Sequence, residues 1–129
     1  MKREVVRRER GPAPLGPYSQ AIAVGDLVFC AGQVGVDPAT GALVPGGAVA
    51  ELTRAIANLA AVLTDAGCGL ADVVKTTLFV TDLAEAPALN ACYAERMPTP
   101  PPVRSTVAVA ALPAGAAVEI EAIAVRPDA

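Results

Sequence analysis

The stretch from Pro102 to Val125, PVRSTVAVAALPAGAAVEIEAIAV, constrains the fold of this chain more than any other. Two apolar runs flank Leu112-Pro113-Ala114-Gly115, and both runs alternate. Alternation at period 2 belongs to a strand with two distinct faces, and a Pro-Gly cluster marks a turn, so the pattern predicts a β-hairpin. Its first strand sets Val103, Ser105, Val107 and Val109 against Arg104, Thr106, Ala108 and Ala110. Its return strand sets Val118, Ile120, Ala122 and Ala124 against Glu119, Glu121, Ile123 and Val125. One Arg and two Glu therefore sit inside the most apolar sequence, where charge is costly unless paired. Two readings account for them: an internal Arg–Glu ion pair, or a carboxylate-binding site with an acid/base group beside it. With the turn centred between Pro113 and Ala114, Arg104 lies opposite Ile123 and Glu119 is about 13 Å off along the partner strand. Glu121 falls nearer Thr106 and is the structural partner on that register. Arg104 and Glu119 then share a small ligand only if their side chains lean together or a neighbouring chain completes the site.

The rest of the chain alternates between strand and helix signals. Residues 3–8 predict a short strand, and 11–17, with three Pro and two Gly, a rigid loop. Residues 18–24 and 27–31 predict strands joined by the two-residue turn Gly25-Asp26. Gly32-Gln33 ends the second of these, 37–41 is another turn, and Gly46-Gly47 breaks the chain again. From 48 to 66 the period becomes 3.6, with Leu52, Ile56, Leu59, Leu63 and Ala66 on one stripe and Gly67 as a C-terminal cap. Residues 73–80 predict a β-branched strand, 84–96 a second helix, and 97–102 a stiff extended connector. The order is β-β-β-α-β-α-β-β: an α+β class, one domain over 1–129, with helices on one face of a mixed sheet.

Composition excludes several kinds of chemistry. The chain has 129 residues, enough for a core without disulfides, and that core is built from Ala, Val and Leu because only 3% of residues are aromatic. Such a core leaves apolar surface for partners. The net charge of −3 argues against nucleic acid as a partner. Lys2, Arg3, Arg7, Arg8 and Arg10 cluster near the start but alternate with Glu4 and Glu9, as on a solvated edge strand. There is no His, which removes Ser-His-Asp, Cys-His and His-metal sites together. Proton transfer is left to Glu, Asp, Tyr, Lys, backbone or water. Cys30, Cys68 and Cys92 form no CxxC and read as small core hydrophobes in a reducing cytoplasm. No apolar leader opens the chain and no apolar run is long enough for a membrane span, so no membrane is expected.

Gly16-Pro17-Tyr18-Ser19-Gln20, Ala31-Gly32-Gln33, Lys75-Thr76-Thr77, Val80-Thr81-Asp82-Leu83, Asn90, Arg104-Ser105 and Glu119-Ile120-Glu121-Ala122 occur in this order and at these intervals. In them the chain resembles the Rid family of reactive-intermediate imine/enamine deaminases, also called the YjgF family, from about Gly16 to Val125. The resemblance implies a chorismate-mutase-like homotrimer with clefts between subunits. It implies hydrolysis of 2-imino acids such as 2-iminopropanoate, and of their 2-aminoacrylate tautomers, to 2-keto acids and ammonia, without cofactor or metal. It implies that Arg104 binds the substrate carboxylate and that Glu119 and Tyr18 line the same cleft, with Ala31, Gly32, Thr106 and Asn90 as further substrate contacts. Ala31 stands where many members have Ser, and so offers a ligand no hydroxyl. Thr106 stands where Cys is frequent, and Arg96-Met97 where paired Phe is usual, which bears on pocket size and substrate range. The residues alone leave alternatives at each position: an ion-paired Arg104, a solvated Glu119, a packing Tyr18, an exposed helical Asn90. A trimer that senses small carboxylates without turning them over is the rival to catalysis. Ribonuclease activity fits poorly with an acidic chain that lacks His.

Overall fold

The apolar stripe of 48–66 does what its period requires. In the computed structural model, which describes residues 1–127, it becomes helix α1 (Ala48–Asp65). Leu52, Ala55, Ile56, Leu59, Val62 and Leu63 are buried along one side. The chain leaves the helix through Gly67, whose φ of 78° is a conformation glycine adopts without strain. Leu59 lies at the centre of the core and is fully buried. Truncating such a residue to Ala costs ~2–5 kcal/mol.

The strands are β1 (Arg3–Val5), β2 (Ala21–Val24), β3 (Leu27–Val34), β4 (Val73–Val80), β5 (Val103–Ala108) and β6 (Val118–Val125). Between β4 and β5, a short 3-10 turn at Leu83–Glu85 leads into helix α2 (Ala86–Arg96). The six strands form one sheet in the order β1-β2-β3-β6-β4-β5. All neighbours are antiparallel except β4 and β5. Both helices cover one face. There Ala21, Ala23, Val28, Leu78, Val80, Val118, Ile120, Ala122 and Ala124 pack beneath α1 and α2 with Leu89, Tyr93 and Met97. No helix of the described residues is long and apolar enough to cross a membrane.

The element order and the helix-covered mixed sheet are as the sequence predicts, and so are the limits of β4. Two strands are shorter than expected: residues 6–8 lie outside β1, and Tyr18, Ser19 and Gln20 precede β2 as irregular chain. β3 runs on past Ala31 to Val34.

The closing hairpin does not form. β5 pairs parallel with β4 at the sheet edge, while β6 lies between β3 and β4. Arg104 is therefore in register with Thr76, not Ile123, and Glu121 is in register with Thr77, not Thr106. β6 is the more apolar strand and takes the inner position, burying Val118, Ile120, Ala122 and Ala124. β5 is exposed along most of its length. The Leu112–Gly115 turn is real but carries the chain across the end of β4. The ion-pair reading of Arg104 falls with the hairpin. Arg104 and Glu121 are exposed, and among the described residues Arg104 pairs with no carboxylate.

Two buried polar groups on α1 fix the strand ends that matter below. Asn58 Nδ2 donates to Val34 O at 3.2 Å and to Val36 O at 2.9 Å, holding the end of β3. Ala117 N donates to Glu51 Oε1 at 2.8 Å, holding the start of β6 two residues before Glu119. Each satisfies groups that would otherwise be buried without partners.

Candidate active site

Tyr18, Ala31, Gly32 and Glu119 come together. Between Cys30 and Gln33, β3 holds one residue more than the stretch of β6 it faces, a β-bulge at Ala31-Gly32. Glu119 folds over this bulge. A methyl group on Gly32 would lie 2.7 Å from Glu119 Cδ, so the site needs glycine there. Ala31 N donates to Gln20 O at 2.8 Å, which ties the bulge to the Tyr18 loop.

That loop is held at several points. Asp65, in the last turn of α1, accepts from the backbone N–H groups of Glu9, Arg10 and Gly11 at 3.0, 2.8 and 2.9 Å. Burial raises the proton affinity of Asp65. The three N–H groups and the Arg10 charge outweigh this, holding the carboxyl below its ordinary range. Gln33 Nε2 donates to Gln20 Oε1 at 2.8 Å, and Gln20 Nε2 donates to Pro12 O at 3.0 Å. The Tyr18 hydroxyl accepts from Leu15 N at 3.0 Å, which leaves its own O–H free to donate. Tyr18, Ala31, Gly32 and Glu119 border a cavity of about 350 Å³ together with Phe79 and Pro113. Burial pushes the Glu119 carboxyl above the usual range, and the nearby Glu121 charge pushes it the same way. A carboxylate so placed is suited to move protons nearer neutrality.

Arg104, Asn90 and Thr106 lie elsewhere. Arg104 Nη2 donates to Asn90 Oδ1 at 2.7 Å, and the guanidinium carbon sits 4.7 Å from the centre of the Tyr93 ring. Arg104 and Asn90 border a separate cavity of about 490 Å³, walled by Tyr93, Met97, Pro98 and Pro102. Thr106 is two residues along β5, on the same side as Arg104.

The register explains the division. Residues directly opposed across neighbouring strands share a face. Thr76 opposes both Arg104 and Ala122, and Thr76 and Ala122 are buried under the helices. Phe79 opposes both Val107 and Glu119, on the open face. Arg104 and Glu119 thus point to opposite faces, and two strand spacings plus three residues of rise put their Cα atoms about 14 Å apart. A three- or four-carbon acid cannot touch both within one chain.

The sequence reading missed Tyr93 as a contact of Arg104, and Phe79 and Pro113 as neighbours of Glu119. Tyr93 had a signal: it is three residues after Asn90, on the same helix face. Cys30 and Cys92 are buried, as expected of core residues, while Cys68 is half-buried against the core. Burial pushes Cys30 up to about 12, with Cys68 adding to the effect.

The family described as endoribonuclease L-PSP matches residues 8–126. A mouse protein named 2-iminobutanoate/2-iminopropanoate deaminase is 45% identical over 124 residues, covering 96% of this chain and 92% of that protein. The crystal structure of RidA from an Antarctic Psychrobacter superposes with a TM-score of 0.90 at 39% identity, covering 95% of this chain and 98% of that one. That of Escherichia coli TdcF with bound serine gives 0.86 at 35% identity, covering 96% and 99%. The chain belongs to the Rid family.

Proposed function

We propose that the protein hydrolyses 2-imino acids of the size of 2-iminopropanoate and 2-iminobutanoate to 2-keto acids and ammonia, in a site built between two copies of the chain. The name of the mouse relative supports the reaction, and the serine bound to TdcF supports a small 2-substituted carboxylate as ligand. The observation that carries the reading is the division itself. The Arg104 guanidinium and the Glu119 carboxyl, whose proton affinity is raised, point away from each other on one sheet. A second copy that brings its Glu119 face to the Arg104 edge restores the pair, and a closed homotrimer forms three such sites.

In that site Arg104 of one copy grips the substrate carboxylate with the part of its fork that Asn90 leaves free. Glu119 of the next copy takes a proton from water as the oxygen adds to the imine carbon. It returns that proton to nitrogen, which completes the carbinolamine, then takes the carbinolamine hydroxyl proton and passes it to the amine as the C–N bond breaks, leaving the 2-keto acid and ammonia. Tyr18 presents its hydroxyl proton to the same cavity. Most of the acceleration comes from orientation.

Mixing two inactive variants tests the arrangement. Arg104→Ala and Glu119→Gln should each lose turnover alone. Unfolded and refolded together at equal concentrations, they should recover about a quarter of wild-type activity, because one intact Arg104 meets one intact Glu119 at about one interface in four. No recovery in demonstrably mixed oligomers would place both residues in one chain's site and sink the reading.

A further inference from the structure

The proposed function asks one exposed arginine on an edge strand to present a fixed fork. A long side chain at an exposed edge ordinarily samples many rotamers, and binding would have to freeze them. Here the freezing is built in. Tyr93 is itself packed into the core: it is only 6% exposed, and its hydroxyl lies 2.7 Å from the hydroxyl of the fully buried Thr76. Thr76 is the residue in register with Arg104. The strand neighbour of Arg104 therefore anchors the ring on which Arg104 lies, while Asn90, one turn earlier on α2, takes one Nη2 hydrogen. A guanidinium stacked on a ring keeps its in-plane donors directed outward along the ring surface. Arg104 borders the cavity beside Tyr93, Met97 and Pro102.

We propose that Tyr93 is a positioning residue, whose ring face fixes the Arg104 guanidinium so that its free edge meets the substrate carboxylate. The proposal rests on the reading that Arg104 binds that carboxylate. The two parts of Tyr93 do different work. The hydroxyl anchors the ring to the core, and the ring face orients the cation.

Pyruvate binding by calorimetry on the assembled protein separates these parts. Tyr93→Leu removes the face and should weaken binding about tenfold, within the range of a partly desolvated cation–π contact, and should raise KM for 2-iminopropanoate while kcat holds. Tyr93→Phe keeps the face and should restore binding to within about twofold. Its melting temperature should still fall, because the Thr76 hydroxyl loses its partner. A merely structural Tyr93 would not split stability from affinity in this way. In an Arg104→Ala background, Tyr93→Leu should cost no further affinity. Wild-type affinity in Tyr93→Leu, with binding lost in Arg104→Ala, overturns the inference and leaves the parent reading intact. Wild-type affinity in Arg104→Ala overturns both. A measurement on the unaltered protein covers the case of a Leu variant that does not fold. The Arg104 Nε–H proton resonance should be shifted upfield by the ring, free and with pyruvate bound, and an unshifted resonance in the complex overturns the inference.

Discussion

Glu119 carries a stability cost that its proposed role in proton transfer would account for. Its proton affinity is raised by burial and then by the Glu121 charge, so the folded state holds its proton to higher pH than the unfolded chain does. The cost is absent below the ordinary carboxylate range, grows as pH rises toward the folded value and is complete above it. Glu119→Gln cannot ionise, so it should melt higher than wild type at neutral pH while losing turnover, and the gap should close as pH falls through the carboxylate range. Thermal melts across pH check this; a Gln variant less stable than wild type at every pH contradicts the assigned cause. The neighbour gives a second handle. Glu121→Gln removes the charge that opposes ionisation of Glu119, so the acid limb of kcat/KM should move to lower pH, and less so at high salt. A limb that stays in place would mean the ionisation seen in the kinetics belongs to another group.

At the scale of elements, the bulge in β3 is the part on which geometry bears most directly. Gly32→Ala would set a methyl group 2.7 Å from Glu119 Cδ. That atom is near the end of a flexible side chain, so the fold should tolerate the change while the carboxylate swings off its position. A displacement on the order of 1 Å can cost ~100-fold in rate, and kcat should fall toward that figure with the melting temperature little changed. Unaltered kcat would detach Gly32 from the chemistry. The sequence disclosed some elements and hid others for identifiable reasons. α1 and β4 were legible because their periods arise from contacts on their own two faces. Motif order singled out Arg104, Glu119, Tyr18 and Gly32, and of these the structure brings Tyr18, Gly32 and Glu119 together. The β5–β6 pairing was not, because alternation and a turn signal fix the direction of a strand and leave its neighbour open. The stretch β4–α2–β5 held the missing information: two strands joined through a helix pair in parallel, which leaves the end of β5 beside β4 and sends β6 to the other side.

The whole molecule has one sheet face without helices, and that face sets exposed apolar side chains beside Lys75, Thr77, Glu119 and Glu121. Leu27, Phe29, Val107 and Val125 are 41, 43, 40 and 37% exposed, on residues whose register sets them all opposite the helices. Exposed apolar area of this kind marks a contact surface. The contact that also mends the divided site is with further copies of the chain, so a homotrimer of three 12.9 kDa subunits should appear in sedimentation equilibrium. Phe29 lies on the open face outside the helix-covered core, so Phe29→Glu should break assembly and leave the subunit folded. Circular dichroism should then show native helix content in a species of single-chain mass. That species should be inactive toward 2-iminopropanoate although Arg104, Glu119 and Tyr18 are all present, because no copy supplies the other half of the site. An active monomer would refute both the divided site and the trimer. An inactive trimer would locate the defect at Phe29 itself, and Leu27→Glu, on the same face, would then be the variant that decides.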